Sequence, residues 1–195
     1  MSKKYSIQLP FKGKWYVEWD GDTRDHRKKS RNQKFAIDFL MVDEQIETTH
    51  KGKGLKNTDY YCFNKEILAP ADGVVSIIIN GVKDNKPGES NIPNFGNALI
   101  IRHSKNVVSI LAHLKSNSIR VKLGDKVKAG QVLGSCGNSG HTAEPHLHFH
   151  LQTDENSLKA KGIRIILKKV FVKNKNKIKE KDNYSPKNGD IIWQE

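Results

Sequence analysis

Short apolar runs broken by glycine, proline and asparagine set the pattern of this chain, and no segment sustains a helical period. Ile67 to Ile79 reads as a turn, Ala69-Pro70-Ala71-Asp72-Gly73, leading into a buried strand. Asn97 to His103 and Val107 to Leu114 read as two more strands. Val121 to Leu133 reads as a tight turn–strand–turn unit, bracketed by Gly124-Asp125 and Ala129-Gly130. β-Branched residues punctuated by Gly and Pro at intervals of about ten predict an all-β sheet or barrel. Two polar stretches, Thr48 to Asn57 and Lys83 to Asn94, are predicted loops. Lys173 to Asn188 is so polar that a surface excursion is expected there, with Gly189 to Trp193 returning as a last edge strand.

One run departs from this background. In Pro145-His146-Leu147-His148-Phe149-His150-Leu151, histidine alternates with a large apolar residue. Alternate side chains of a strand share a face, so the three imidazoles line one side while Leu147, Phe149 and Leu151 enter the core. A strand that holds neutral imidazoles in fixed rotamers is a good metal platform. The plainer reading, solvated histidines on a polar face, fits the strict spacing poorly. Of the three, His150 is the one best suited to a surface role. The preceding segment, Gly137-Asn138-Ser139-Gly140-His141-Thr142-Ala143-Glu144, has the glycines and asparagine of a tight turn. Such a loop can pass close to a ligand.

Cys136-Gly137-Asn138-Ser139-Gly140 followed by Pro145-His146-Leu147-His148-Phe149 resembles the signature of lysostaphin-type peptidoglycan endopeptidases. Ala69 to Val75 resembles that family's strand entry. Leu111-Ala112-His113-Leu114 resembles its central histidine segment, and Val121 to Gln131 resembles the hairpin after it. The resemblance runs from about Phe35 to Leu151, within what is expected to be a single domain over residues 1–195. It implies an all-β, antiparallel, sandwich-like peptidase domain with surface loop insertions. It also implies that His148 and Asp38 bind Zn2+, and that His113 and His146 are the catalytic imidazoles. The reaction implied is hydrolysis of a peptide cross-link of bacterial peptidoglycan by metal-activated water.

The resemblance breaks at one position. The family places a histidine four residues before the aspartate, and here Lys34 stands there, an ammonium with no lone pair to give. His26 is the only imidazole before Asp38 and is the candidate third ligand, supplied from a longer loop. Asp20, Asp22, Asp25 and Glu18 are the nearby carboxylates, and His50 is a weaker candidate. If none serves, the chain reads instead as a catalytically degenerate zinc-binding relative, a cell-wall binding or regulatory module.

Charge adds a partner class. The formal net charge is +13, and the densest lysine run is Lys168 to Lys181, away from the histidines. An anionic cell-wall polymer suits that charge. Nucleic acid is not favoured, because no helix-turn-helix, zinc-finger or aromatic RNA-binding signature is present. The two cysteines, Cys62 and Cys136, are too few for a disulfide scaffold or a four-cysteine zinc site, and either pairing or buried thiols suits them. The N-terminal residues carry lysines but no apolar core of a signal peptide. A wall hydrolase would work outside the cell or in its envelope.

Overall fold

A computed structural model describes residues 6–19, 31–45, 47–90, 94–175 and 177–195. Among them the regular elements are strands and one 3-10 turn, Asn57–Asp59. The N-terminal strands are β1 (Ser6–Ile7), β2 (Trp15–Trp19) and β3 (Ile37–Leu40). Next come β4 (Glu66–Leu68), β5 (Gly73–Ile79), β6 (Asn97–Ser104), β7 (Val107–Leu114), β8 (Lys126–Val127) and β9 (Val132–Ser135). The histidine strand is β10 (Leu147–Gln152). After it come β11 (Gly162–Ile163), β12 (Ile166–Leu167), β13 (Val170–Asn174), β14 (Lys177–Lys181) and β15 (Ile191–Trp193). No helix among the described residues is long and apolar enough to cross a membrane.

An 11-stranded sheet runs β14-β13-β15-β2-β3-β10-β7-β6-β5-β8, with β11 also on β10, and every pairing in it is antiparallel. The all-β, antiparallel expectation holds. β10 lies between β3 and β7, where it is paired on both sides and buried along its whole length. Leu147, Phe149 and Leu151 face the main core with Ile37, Phe39, Leu99, Leu111 and Val17. Burying each such side chain contributes about 1.5–3 kcal/mol. His148, His150 and Gln152 occupy the other face of β10. Their cross-strand partners there are Ala112, Ile110 and Val108 of β7. These three residues of β7 join Ala98 in a smaller apolar cluster, with Phe95 packed against it.

The C-terminal region corrects the sequence reading. Val170 to Lys181 is a β-hairpin, not an excursion, and β15 lies inside the sheet between β13 and β2. The edge is β14, whose residues are exposed except for the half-buried Lys181. A lysine-rich edge strand has no apolar face to reveal it, and its charge discourages pairing with another chain.

Candidate metal and catalytic centre

Direct strand pairing builds the centre. His148 of β10 is the register partner of Asp38 of β3, and its Nδ1 lies 2.8 Å from the Asp38 Oδ1. The Nε2 of His146, one residue before β10, lies 3.8 Å from the same oxygen. Burial opposes ionisation of Asp38, but His148, followed by His146 and His113, holds its carboxyl well below the usual range. A buried carboxylate stays ionised where a neighbouring ring carries a positive charge or donates a hydrogen bond to it.

His113 arrives from the end of β7 in an unusual conformation. The β6–β7 register slips between Asn97 and Leu99, which sets Ala112 and His113 against the single residue Ala98. His113 there takes φ 60°. Few non-glycine residues adopt that region, and a bulge with such a residue re-aims a side chain. The His113 ring comes to 4.7 Å from that of His146 and 5.8 Å from that of His148, centroid to centroid.

Both catalytic candidates have their protons assigned by carbonyl groups. His113 Nδ1 lies 2.8 Å from the Ser139 carbonyl, which can only accept, so Nδ1–H donates and Nε2 holds the lone pair. His146 Nδ1 lies 3.0 Å from the Glu144 carbonyl and 3.0 Å from the Thr142 hydroxyl, which gives the same tautomer. Burial, reinforced by His146 and His148, pushes the His113 pKa well down, so its imidazole is neutral at pH 7. The turn at 137–140 serves this placement. A Cβ on Gly140, whose φ is +86°, would lie 2.3 Å from the Gly96 nitrogen, and one on Gly137 would meet the Lys115 backbone at the same distance. These glycines let the loop seat on neighbouring backbone and present the Ser139 carbonyl to His113.

Asp38, His113, His146 and His148 therefore converge as the sequence suggested. His26 lies outside the described residues. Lys34 sits over the Phe35 ring at 5.2 Å. His50 packs on Tyr60, ring centroids 5.1 Å apart, and under Gly54. His150 is not a surface residue: it is 0% exposed, since β7 and β11 flank that part of β10 and Phe95 lies 5.9 Å from its ring. The two cysteines are buried free thiols. Cys62 donates to the Pro145 carbonyl beside His146, and burial raises the Cys136 thiol pKa.

One group was poorly signalled by the sequence. Glu18 of β2 sits where the β2–β3 register slips beside Asp38. Burial, then Glu144 and Asp38, push its pKa up to about 7.

Residues 48–160, more than half of the chain, match the model of Peptidase family M23. The chain belongs to that family. His113, His146 and His148 lie within the matched segment, and Asp38 lies ahead of it. The chain is 31% identical over 121 residues to the peptidoglycan DD-endopeptidase ShyC of Vibrio cholerae, covering 58% of this chain and 25% of that protein. It is 34% identical over 80 residues to the glycyl-glycine endopeptidase ALE-1 of Staphylococcus capitis, covering 40% and 22%. A third relative, the cell division protein DipM of Caulobacter vibrioides, is 34% identical over 86 residues, covering 44% and 12%. The matches thus span a quarter or less of these relatives' own lengths.

Two solved structures share the fold. Pseudoalterin, a deep-sea M23 metalloprotease, superposes with a TM-score of 0.52 at 17% identity over 93% of this chain and 86% of that one. The catalytic domain of the prophage-encoded M23 protein EnpA from Enterococcus faecalis, solved as a point mutant, gives 0.50 at 21% identity over 80% and 92%.

The donor set suits a zinc ion. A carboxylate oxygen and an imidazole nitrogen, both buried and 2.8 Å apart, are ligand types that zinc takes. Among the described residues no group of three His, Cys, Asp or Glu side chains comes together as a metal cage. A hydrolytic zinc uses three protein ligands, and Asp38 and His148 are two donors of the right types.

Proposed function

We propose that the protein is a zinc-dependent endopeptidase that hydrolyses peptide cross-links of bacterial peptidoglycan. One observation carries this reading. Two imidazoles, His113 and His146, each with Nδ1–H tied to a carbonyl and a lone pair on Nε2, flank the Asp38–His148 pair. Asp38 and His148 would hold the metal, and His26, the only imidazole ahead of Asp38 in the sequence, is the proposed third ligand. A zinc ion, when bound there, would supply a water of pKa ~7 and polarise a carbonyl. His113, neutral through burial, accepts a proton at Nε2. His146, held by Thr142 and Glu144, stabilises the developing oxyanion or carries the proton to the leaving amine. Thr49 anchors Glu144 by a 2.9 Å hydrogen bond and so ties the 48–60 loop to the rim.

The segments flanking the matched region join the same sheet, which supports a single domain over the whole chain. A groove of about 550 Å³ lined by Lys175, Lys177, Lys179, Lys181 and Lys187 supports attachment to an anionic wall polymer. The deciding experiment is digestion of purified peptidoglycan, read as new amino termini and mass-resolved fragments. Turnover should vanish with a chelator and return with zinc. Fragments unchanged by fully zinc-loaded protein would reject the peptidase reading.

A further inference from the structure

The chemistry above uses His113, His146 and His148, with His26 proposed as a ligand; another histidine, His150, is buried directly behind His148. It belongs to a hydrogen-bonded column along one face of β10. His148 Nε2 lies 3.0 Å from His150 Nδ1, and His150 Nε2 lies 3.0 Å from Gln152 Oε1. The column is closed at its far end. Gln152 Nε2 donates to the Asp154 carbonyl at 2.7 Å, and Asn32 Nδ2 donates to Gln152 Oε1 at 2.9 Å.

Proton positions follow from the closed end. The Asp154 carbonyl can only accept, so the amide nitrogen of Gln152 must face it and Oε1 must face His150. Oε1 is also only an acceptor, so His150 carries its proton on Nε2. Neutral His150 then has its lone pair on Nδ1, and the proton between the two rings belongs to His148 Nε2. A neutral His148 protonated at Nε2 has its lone pair on Nδ1, which faces the Asp38 carboxylate at 2.8 Å. A lone pair opposite a carboxylate at that distance is repulsive unless a cation lies between them. A metal ion or a second proton on His148 supplies it. The column thus delivers a ligand-ready nitrogen to the position where Asp38 already concentrates negative charge.

We propose that His150, backed by Gln152 and Asn32, is a positioning residue that holds His148 in the tautomer and orientation that accept the metal. The inference rests on the zinc reading above. Metal-bound histidines commonly give their other ring N–H to an acceptor, and losing that acceptor typically costs 10–100-fold in metal affinity. Here the acceptor is a second imidazole, and its own orientation is enforced by an amide whose two ends are both committed. Strand alternation explains why one element supplies the run. Positions 148, 150 and 152 recur every two residues, roughly 6.6–6.8 Å along β10. Burial against β7 and Phe95 keeps water from replacing the acceptor.

The test is zinc affinity of the full chain, by competition with a chromophoric chelator, together with the visible spectrum of the cobalt-substituted protein. His150→Ala should weaken zinc binding by roughly 10–100-fold. His150→Asn, whose Oδ1 can stand where Nδ1 stood, should stay within a few-fold of the parent. Gln152→Leu leaves both rings but removes the group that orients His150, and should weaken binding in the same direction. Melting of the metal-free variants separates a structural role from a positioning one. A lower melting temperature with unchanged affinity and cobalt spectrum overturns the proposal. If His150→Ala fails to fold, Gln152→Leu decides, and parental affinity there overturns it equally. Wild-type protein that binds no zinc, or binds it as well after His148→Ala, would overturn the zinc reading and the inference with it.

Discussion

His148 Nδ1 and Asp38 Oδ1 meet at 2.8 Å across 110 residues of sequence because β3 and β10 are hydrogen-bonded neighbours with these two residues in register. A one-residue slip in that register would turn Asp38 into the apolar core and Phe39 toward the imidazoles. The packing of Ile37 and Phe39 against Phe149 and Leu147 therefore protects the Asp38–His148 pairing as well as the fold.

Removal of metal ligands should be read first as zinc content. Protein purified without chelators is expected to carry close to one equivalent, and His148→Ala and Asp38→Ala should carry a small fraction of that. His26→Ala should fall to a similar level. Elemental analysis checks all three, and parental zinc in His26→Ala would assign the third ligand elsewhere.

The two flanking imidazoles should behave differently. His113→Ala and His146→Ala should each lower turnover of wall fragments by on the order of 10²-fold or more, the usual loss for a general acid–base group. Their zinc content should remain near parental. Parental digestion rates in either variant would remove that residue from the mechanism.

Glu18 makes the metal-free protein sensitive to pH. Its carboxyl ionises near 7 in the folded chain against an ordinary value of 4.5, so between those values the folded state holds a proton that the unfolded state has lost. Stability from this group is present at low pH and declines as pH rises through that window. Asp38 has the opposite sign, because its lowered pKa contributes stability that is lost on acidification. The melting temperature of metal-free wild type should thus drop between pH 5 and pH 8 more than that of Glu18→Gln. Parallel melting curves across the range would count against a Glu18 carboxyl raised by burial and by the charges of Glu144 and Asp38.

Attachment to isolated walls should depend on salt. The screening length shrinks from about 30 Å at 0.01 M to about 10 Å at 0.1 M, so a contact made by exposed lysines weakens over that range. Replacing Lys177, Lys179 and Lys181 by Glu should weaken sedimentation with walls at low salt while leaving cleavage of a short soluble peptide near parental. Binding that ignores both changes would place attachment on a neutral surface.

The sequence alone determined the class of fold and the histidine strand. Alternation of His146, His148 and His150 with Leu147, Phe149 and Leu151 is a local, period-two signal, and burial of one strand face enforces it. Motif order along the chain was enough to single out Asp38 and His113. The tertiary structure decided what depends on partners distant in sequence. His113 reaches the site only because a slipped β6–β7 register lets it adopt a positive φ. His150, which looked suited to the surface, is buried because Phe95 and β7 cover that face and Gln152 and Asn32 satisfy its polar chain. β14 escaped the sequence pattern because an exposed edge pairs through its backbone, and lysines spell no hydrophobic period. Side-chain period reports which face of a strand is buried. It does not report which strand lies alongside, and the hydrogen bonds that aim these imidazoles come from those neighbours.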